Sequence, residues 1–477
     1  MTLLVCLLVP AAAGLLVAAC RRHPNLREAV TLVASASLVL LIASLWPEVL
    51  AGSRPSLVLG EIMPGLEIKL ELEPLGLLFA LIASGLWFVS GVYSIGYMRG
   101  NEEAHQTRFF ACFALAICAA LGVALAGNLL TLYLFYEALT LVTYPLVAHH
   151  GDEEARRGAR TYLALLLLSS MLFLLPAMVA TWLIAGTLDF TPGGILAGTV
   201  SGTAAAGLLA LYVFGIGKAA LMPIHRWLPA AMVAPAPVSA LLHAVAVVKA
   251  GVFSIVKVVV YTFGVSFSAD AFAWLPWIAG FTILAASVVA LRADNLKRRL
   301  AYSTVSQLSY VVLAAAILAP LSLAGAIMHI AAHAFGKITL FFAAGAIYTA
   351  AHKTEVSQLD GIGRRMPWTF GAFGIGALSM IGLPPAAGFV SKWFMVAGAV
   401  EAEHWVALGV IAASTLLNAG YFLPIVYRAF FVSPAASDSP HGEAPWTMVA
   451  AMVVTASLTV LMFFYADLPL ALAERVH

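Results

Sequence analysis

The sequence predicts an all-α fold of the polytopic membrane class, and three observations carry that expectation. Hydrophobic residues make up 62% of the 477-residue chain and charged residues 10%, with a mean hydropathy of +0.98. A soluble chain of this length would have too little surface charge to stay in water. Apolar runs of about 20 residues recur throughout, the length of helix that crosses a ~30 Å hydrocarbon core. Lysine and arginine collect in alternate connections between those runs, as the charge rule for membrane topology requires.

Taken in order, the runs give 14 spans: 2–20, 29–47, 74–98, 108–126, 129–148, 160–186, 203–225, 236–262, 272–291, 299–319, 321–350, 368–400, 404–430 and 446–466. The first has no basic stretch before it and arginines after it, so it is expected to be a retained helix rather than a cleaved signal. Arg54 to Glu73 is the longest polar connection, and no low-complexity linker divides the chain. The connections after the odd-numbered spans hold Arg21, Arg22, Arg27, Arg99, Arg108, Arg156, Arg157, Arg160, Arg226, Arg292, Lys297, Arg298, Arg299, Lys353, Arg364, Arg365 and Arg428. The opposite side holds Arg54, Lys69 and Arg475. The odd connections are therefore expected in the cytoplasm and both termini outside, in a bacterial inner membrane.

The five basic residues left inside spans are all lysines: Lys218, Lys249, Lys257, Lys337 and Lys392. Glu137, in "LYLFYEALTLVTYPL" (Leu132 to Leu146), is the one acid read as deep within a span. A charge at mid-bilayer costs roughly 2.5–3.5 kcal/mol, so such a set must pair, neutralise or face a wet interior. Arginine keeps its proton in proteins, whereas a desolvated lysine can release one near neutral pH. A lysine-only set therefore points to proton exchange. Lys257, near the outer end of span 8 beside Tyr261, reads instead as a snorkelling residue.

Two spans look interrupted. Gly215, Gly217 and Pro223 bracket Lys218 in span 7. Gly382, Pro384, Pro385 and Gly388 precede Lys392 in span 12, whose run would make a ~50 Å helix if unbroken. Glycine and proline free backbone carbonyls that an ammonium group can use. Spans 7 and 12 lie five apart and run in opposite directions, the arrangement of interrupted helices in inverted repeats around a transport site. In span 11, "MHIAAHAFGKITLFF" places His329, His333 and Lys337 every four residues on nearly one face. Histidine titrates near neutral pH, which suits a relay through waters. His243 and Lys249 in span 8 are six residues apart, about 120° around a regular helix, and need not touch.

Other chemistries are set aside. The net charge of +2 is too small to imply nucleic acid. Cys6, Cys20, Cys112 and Cys118 lie in apolar runs without metal or redox spacing and read as packing residues. The span histidines have no adjacent carboxylate or thiolate to complete a zinc site. "GIGKAA" at Gly215 matches a dinucleotide fingerprint, but no strand precedes it. No cofactor or metal is expected, and the chain is expected to be a transporter subunit rather than an enzyme.

Together these stretches resemble the antiporter-like proton-conducting subunits shared by Mrp-type cation/proton antiporters and respiratory complex I. The resemblance covers nearly the whole chain and rests on "LFYEALTL", "GIGKAALMPIHRWLPAAMVAPAPVSALLHA", "VVKAG", "HIAAHAFGKITLFFAAG" and "SMIGLPPAAGFVSKW". It implies fourteen helices with two inverted five-helix repeats. The chain then divides into N-terminal helices at 1–107, a first repeat at 108–262, a second at 272–430, and a last helix with its tail at 446–477. It also implies that Glu137 and Lys218 act as a coupled pair, Lys249 as the central relay and Lys392 as the terminal one.

Within the family the chain looks most like the D-type component of an Mrp complex, by "FYEALTLVTYPLVAHHGDEEARRGARTYL" and by a lysine at 392. The sequence ends just after span 14, so the long lateral helix of the largest paralogues is not expected. The resemblance implies a hetero-oligomeric membrane complex that moves protons and exchanges a monovalent cation such as sodium. A subunit of complex I or of a membrane-bound hydrogenase is the alternative; a scaffold whose lysines bind lipid headgroups is a third reading, disfavoured because such contacts belong at span ends.

Overall fold

The computed structural model describes residues 1–434 and 441–476; His477, the end of the expected C-terminal segment, lies outside them. Eleven described helices are long and apolar enough to cross a membrane. The other three expected spans are also helical. Span 10 is Leu296–Ala316, with a charged first turn. Span 7 begins as Gly202–Gly215, and span 12 is split into Pro367–Ile381 and Ala387–Glu401. The arrangement is compatible with fourteen crossings.

Helix starts follow local chemistry. Glu73 caps Pro74–Gly100 by accepting from Leu75 N and Gly76 N, Asn128 caps Leu129–Val147 through Thr131 N, and Asp152 caps Glu153–Ser169 through Ala155 N. Each satisfies an N–H that the first turn leaves without an intrahelical partner. Span 6 runs through a wide π-helical turn at Ser170–Leu174 and continues as Leu175–Ala185.

The polar connection at 54–73 departs from the all-helical expectation. Ser56–Met63 (β1) and Leu66–Glu71 (β2) form an antiparallel hairpin, turning at Gly65 with φ +83°. The pattern is legible afterwards: Leu66, Ile68 and Leu70 alternate with Glu67, Lys69 and Glu71. The outer strand pairs with β2, while β2 also bonds inward, Lys69 N to Thr131 Oγ1 and Glu71 N to Leu125 O. The hairpin is thereby tied to the connection between spans 4 and 5.

Burial separates the helices into a wall and a centre. In the apolar window of Pro24–Leu50, 28% of residues are buried, and in that of Trp446–Phe464, 33%. The corresponding share is 100% for Ala236–Phe263 and 94% for Pro320–Ala351. Spans 8 and 11 are thus enclosed by protein, and they are the two that carry His243, Lys249, His329, His333 and Lys337. Polar groups here avoid hydrocarbon because other helices stand between them and lipid.

Candidate functional site

Span 7 stops being α-helical after Gly215, and Gly217–Ala219 is a single 3₁₀ turn holding Lys218. Gly251 of span 8 lies against this turn so closely that a Cβ there would overlap Lys218 C and Ala219 N. Lys218, fully buried, donates from Nζ to Tyr136 O (2.7 Å) and Thr140 Oγ1 (2.6 Å), with Nζ 3.2 Å from the centre of the Tyr136 ring. Glu137 is the anion in electrostatic reach of Lys218, yet both its carboxylate oxygens are buried without a hydrogen-bond partner. No ion pair joins the two among the described residues. Lys218 is held by the helix of Glu137 through a carbonyl and a hydroxyl instead.

Span 8 contains a surprise of geometry. Leu241–Val245 is a π-helical turn and Ala246 is distorted (φ −115°, ψ −68°) before the α-helix resumes at Val247. The regular-helix separation of His243 and Lys249 does not apply across such a wide turn. Both side chains meet span 11: the His243 ring lies 4.7 Å from Phe341, and Lys249 Nζ bonds His333 Nδ1. Among the described residues, His243 has no hydrogen-bond partner on either ring nitrogen, and His333 Nε2 has none.

From Lys249 a nearly continuous string runs to Lys392. The His333 and His329 rings lie 6.1 Å apart. His329 Nδ1 pairs with Ser391 Oγ (2.8 Å), and its Nε2 pairs with Gln307 Oε1 (3.0 Å). Gln307 Nε2 donates to Met380 O (3.2 Å), and Lys392 Nζ donates to the same carbonyl (2.9 Å) and to Ile381 O (3.0 Å). Met380 and Ile381 end the first half of span 12, where Gly382 closes the helix at φ +92°. Their carbonyls lack the partners a continuing helix would give, so a cation is favoured there. Lys337 branches from the string, bonding Ser303 Oγ, with Leu300 O at 3.4 Å.

Sequence reasoning missed Gln307 and Ser391, polar residues with no distinctive spacing, and it missed Glu73. That acid was assigned to a loop, but it is 3% exposed and takes Lys257 Nζ at 3.1 Å and Tyr261 OH at 3.2 Å. Lys257 also reaches Ala126 O (2.7 Å). It is therefore a partner in a buried ion pair, not a snorkelling residue.

With this geometry in hand, residues 126–418 match the family described as NADH:quinone oxidoreductase/Mrp antiporter, transmembrane. The chain belongs to this family. Residues 64–110 match the complex I chain 5 N-terminus. The NADH-quinone oxidoreductase subunit N of Desulforudis audaxviator is 36% identical over 76% of this chain and 73% of its own length. Subunit L of the same kind of enzyme from Mycobacterium tuberculosis is 32% identical over 82% of this chain, which spans 62% of that relative. The D component of the Na(+)/H(+) antiporter of Alkalihalophilus pseudofirmus is 25% identical over 97% of this chain and 93% of its own length. A chain of the Mrp complex from a Dietzia species superposes with a TM-score of 0.89 at 21% identity, covering 99% of this chain and 96% of that one. A chain of an archaeal membrane-bound sulfane sulfur reductase gives 0.88 at 22%, with the same coverage. The family is thus one of antiporter-like membrane subunits, and both structural neighbours come from membrane complexes.

Proposed function

We propose that this chain is the proton-translocating subunit of a multisubunit monovalent cation (Na⁺)/H⁺ antiporter, built on two inverted five-helix repeats. The observation that supports this most is the buried string Lys249, His333, His329, Gln307, Met380 O and Lys392. Every side chain in it can donate or accept, and among the described residues its titratable members have no carboxylate partner to fix their charge. In this reading protons exchange with the cytoplasm near Lys218, pass through Lys249, His333 and Lys337, and reach Lys392 on the outward side of the span 12 break. His243 and His329 serve the same path.

Glu137 acts as the switch. At ~4 Å and an effective dielectric near 20, a carboxylate and an ammonium group interact by about 4 kcal/mol, roughly three pK units. Brought close, Glu137 favours the charged lysine; drawn away, it favours release. The arrangement with Lys218 on Tyr136 O and Thr140 Oγ1 suits the open position of that switch. The spans carry no acidic cluster in sequence that would suit sodium, so in this reading the ion that crosses this chain is the proton. Antiport measured in everted vesicles containing the assembled complex tests the reading. Glu137→Ala and Lys218→Ala should each lose most of it, and wild-type antiport in either variant would end the account.

The second reading is a proton-pumping subunit of a redox-driven complex, favoured by the 36% identity to a quinone oxidoreductase subunit. Flavin or iron–sulfur absorbance in the natively purified complex would select it.

A further inference from the structure

Five connections converge on one cavity at the positively charged face. It has a volume of about 230 Å³ and is lined from the connections after spans 3, 5, 7, 9 and 11, with Glu103, His150, Ala234, Lys297 and Ala344 among its walls. The cavity therefore sits where the two proposed repeats meet, apart from the span 7 break and Lys218. Its rim carries a titratable cluster: Glu103 Oε1 lies 3.6 Å from His150 Nε2, and Glu103 Oε2 lies 3.7 Å from His149 Nε2. Beside them Lys297 Nζ donates to Ala234 O.

The inner wall leads toward the relay. Ala236 stands seven residues before His243 in span 8, and Ala344 stands seven residues after Lys337 in span 11. At 1.5 Å per residue along the α-helix of span 11, Lys337 is about 10 Å beyond the cavity wall. That wall is built of small residues: Gly345 faces Ala236 and the Tyr93 hydroxyl with no room for a side chain. His243 is fully buried, neither of its ring nitrogens has a hydrogen-bond partner among the described residues, and Lys337 and Lys297 are cations in electrostatic reach of it. A buried imidazole left this way is destabilising, a cost that water removes when it bridges to polar neighbours.

We propose that this cavity is a second cytoplasmic mouth of the proton path, at the seam between the repeats, where Glu103 and His150 exchange protons with bulk water and deliver them past Lys297 to His243. The inference rests on the proposed function and adds a route to it that does not pass through Lys218. The titratable groups lining the cavity are Tyr97, Glu103, His150, Lys297, Tyr348 and Lys353; His149 contacts Glu103, with His105 and Arg108 acting on His149 and Lys297 acting on His150. The Glu103 carboxylate beside it keeps His150 protonated to higher pH than an ordinary histidine. The rim thus holds a proton in the range where the cytoplasm has few.

The test is Ala344→Cys in the complete complex in everted vesicles, treated from outside with a membrane-impermeant, positively charged thiol reagent, with identically treated wild type as control for the native cysteines. The expected result is labelling at position 344 and a several-fold loss of proton transport that appears only after the reagent. Glu103→Gln should independently shift the cytoplasmic-pH profile of transport toward acid. A labelled Ala344→Cys that transports normally, or one that no reagent reaches from that face, overturns the mouth while an inactive Lys218→Ala leaves the proposed function standing. A fully active Lys218→Ala overturns the proposed Glu137–Lys218 switch, and an Ala344→Cys that is labelled and blocked in the same vesicles still supports the mouth.

Discussion

Among single residues, the Glu73–Lys257 pair shows how position decides the meaning of a charge. Glu73 caps a helix with two backbone N–H groups and receives Lys257 and Tyr261 on the same carboxylate. Removing one member of a buried pair leaves the other desolvated, at about 3–5 kcal/mol. Lys257→Met should therefore lower the thermal stability of the purified complex markedly, and adding Glu73→Gln should recover part of it. Equal stability in the single and double variants would show that the pair is not coupled. His149 offers a second residue-scale expectation. Burial lowers its pKa from 6.5 to about 4, against the opposing pull of Glu103. The unfolded chain then binds a proton that the folded chain refuses, so stability is lost as pH falls from about 6.5 toward 4. His149→Phe should flatten that part of the stability–pH curve, read as melting temperature against pH.

At the scale of elements, the two helix breaks are held by backbone contact through glycine. Gly251 presses on the Lys218 turn, and a Cβ on Gly388 would overlap Ser379 O at the end of the first half of span 12. Neither neighbour is a flexible side-chain tip, so a methyl group must move backbone. Overpacking of this kind costs typically about 1–3 kcal/mol. Gly251→Ala should displace Lys218 from Tyr136 O and reduce proton transport several-fold while the complex still assembles. Transport at wild-type level would show that the position of that turn does not matter. The breaks were readable from Gly215, Gly217, Gly382 and the prolines, because these residues change local backbone chemistry. The π-helical turn at Leu241–Val245 was not, since "LLHAV" has no local reason to widen; only the packing of span 8 against span 11 shows its consequence, with His243 and Lys249 both facing one helix.

Across the whole molecule, the lysine-bearing spans 8 and 11 are enclosed and the outer helices present apolar faces. Trp277, Phe281, Leu416 and Trp446 are each more than 60% exposed, as suits lipid or companion subunits. The basic residues collect on one face, and that bias makes orientation testable. Single cysteines placed in the connection at 101–105 should be labelled from the outside of everted vesicles, and cysteines at Gly52 should not. The reverse pattern would turn the molecule over, and with it the proposed side of both mouths.

By itself the sequence determined the membrane class, the succession of helices, the lysine-only set and the two breaks. These follow from hydropathy, charge and backbone chemistry, all properties of residues and their immediate neighbours along the chain. Tertiary structure alone decided which of those groups touch: that Glu137 stands unpartnered while Thr140 holds Lys218, that Gln307 and Ser391 join the histidines to Lys392, and that Glu73 claims Lys257. Such contacts join residues far apart along the chain, and no local pattern encodes which buried donor will meet which acceptor once the helices pack.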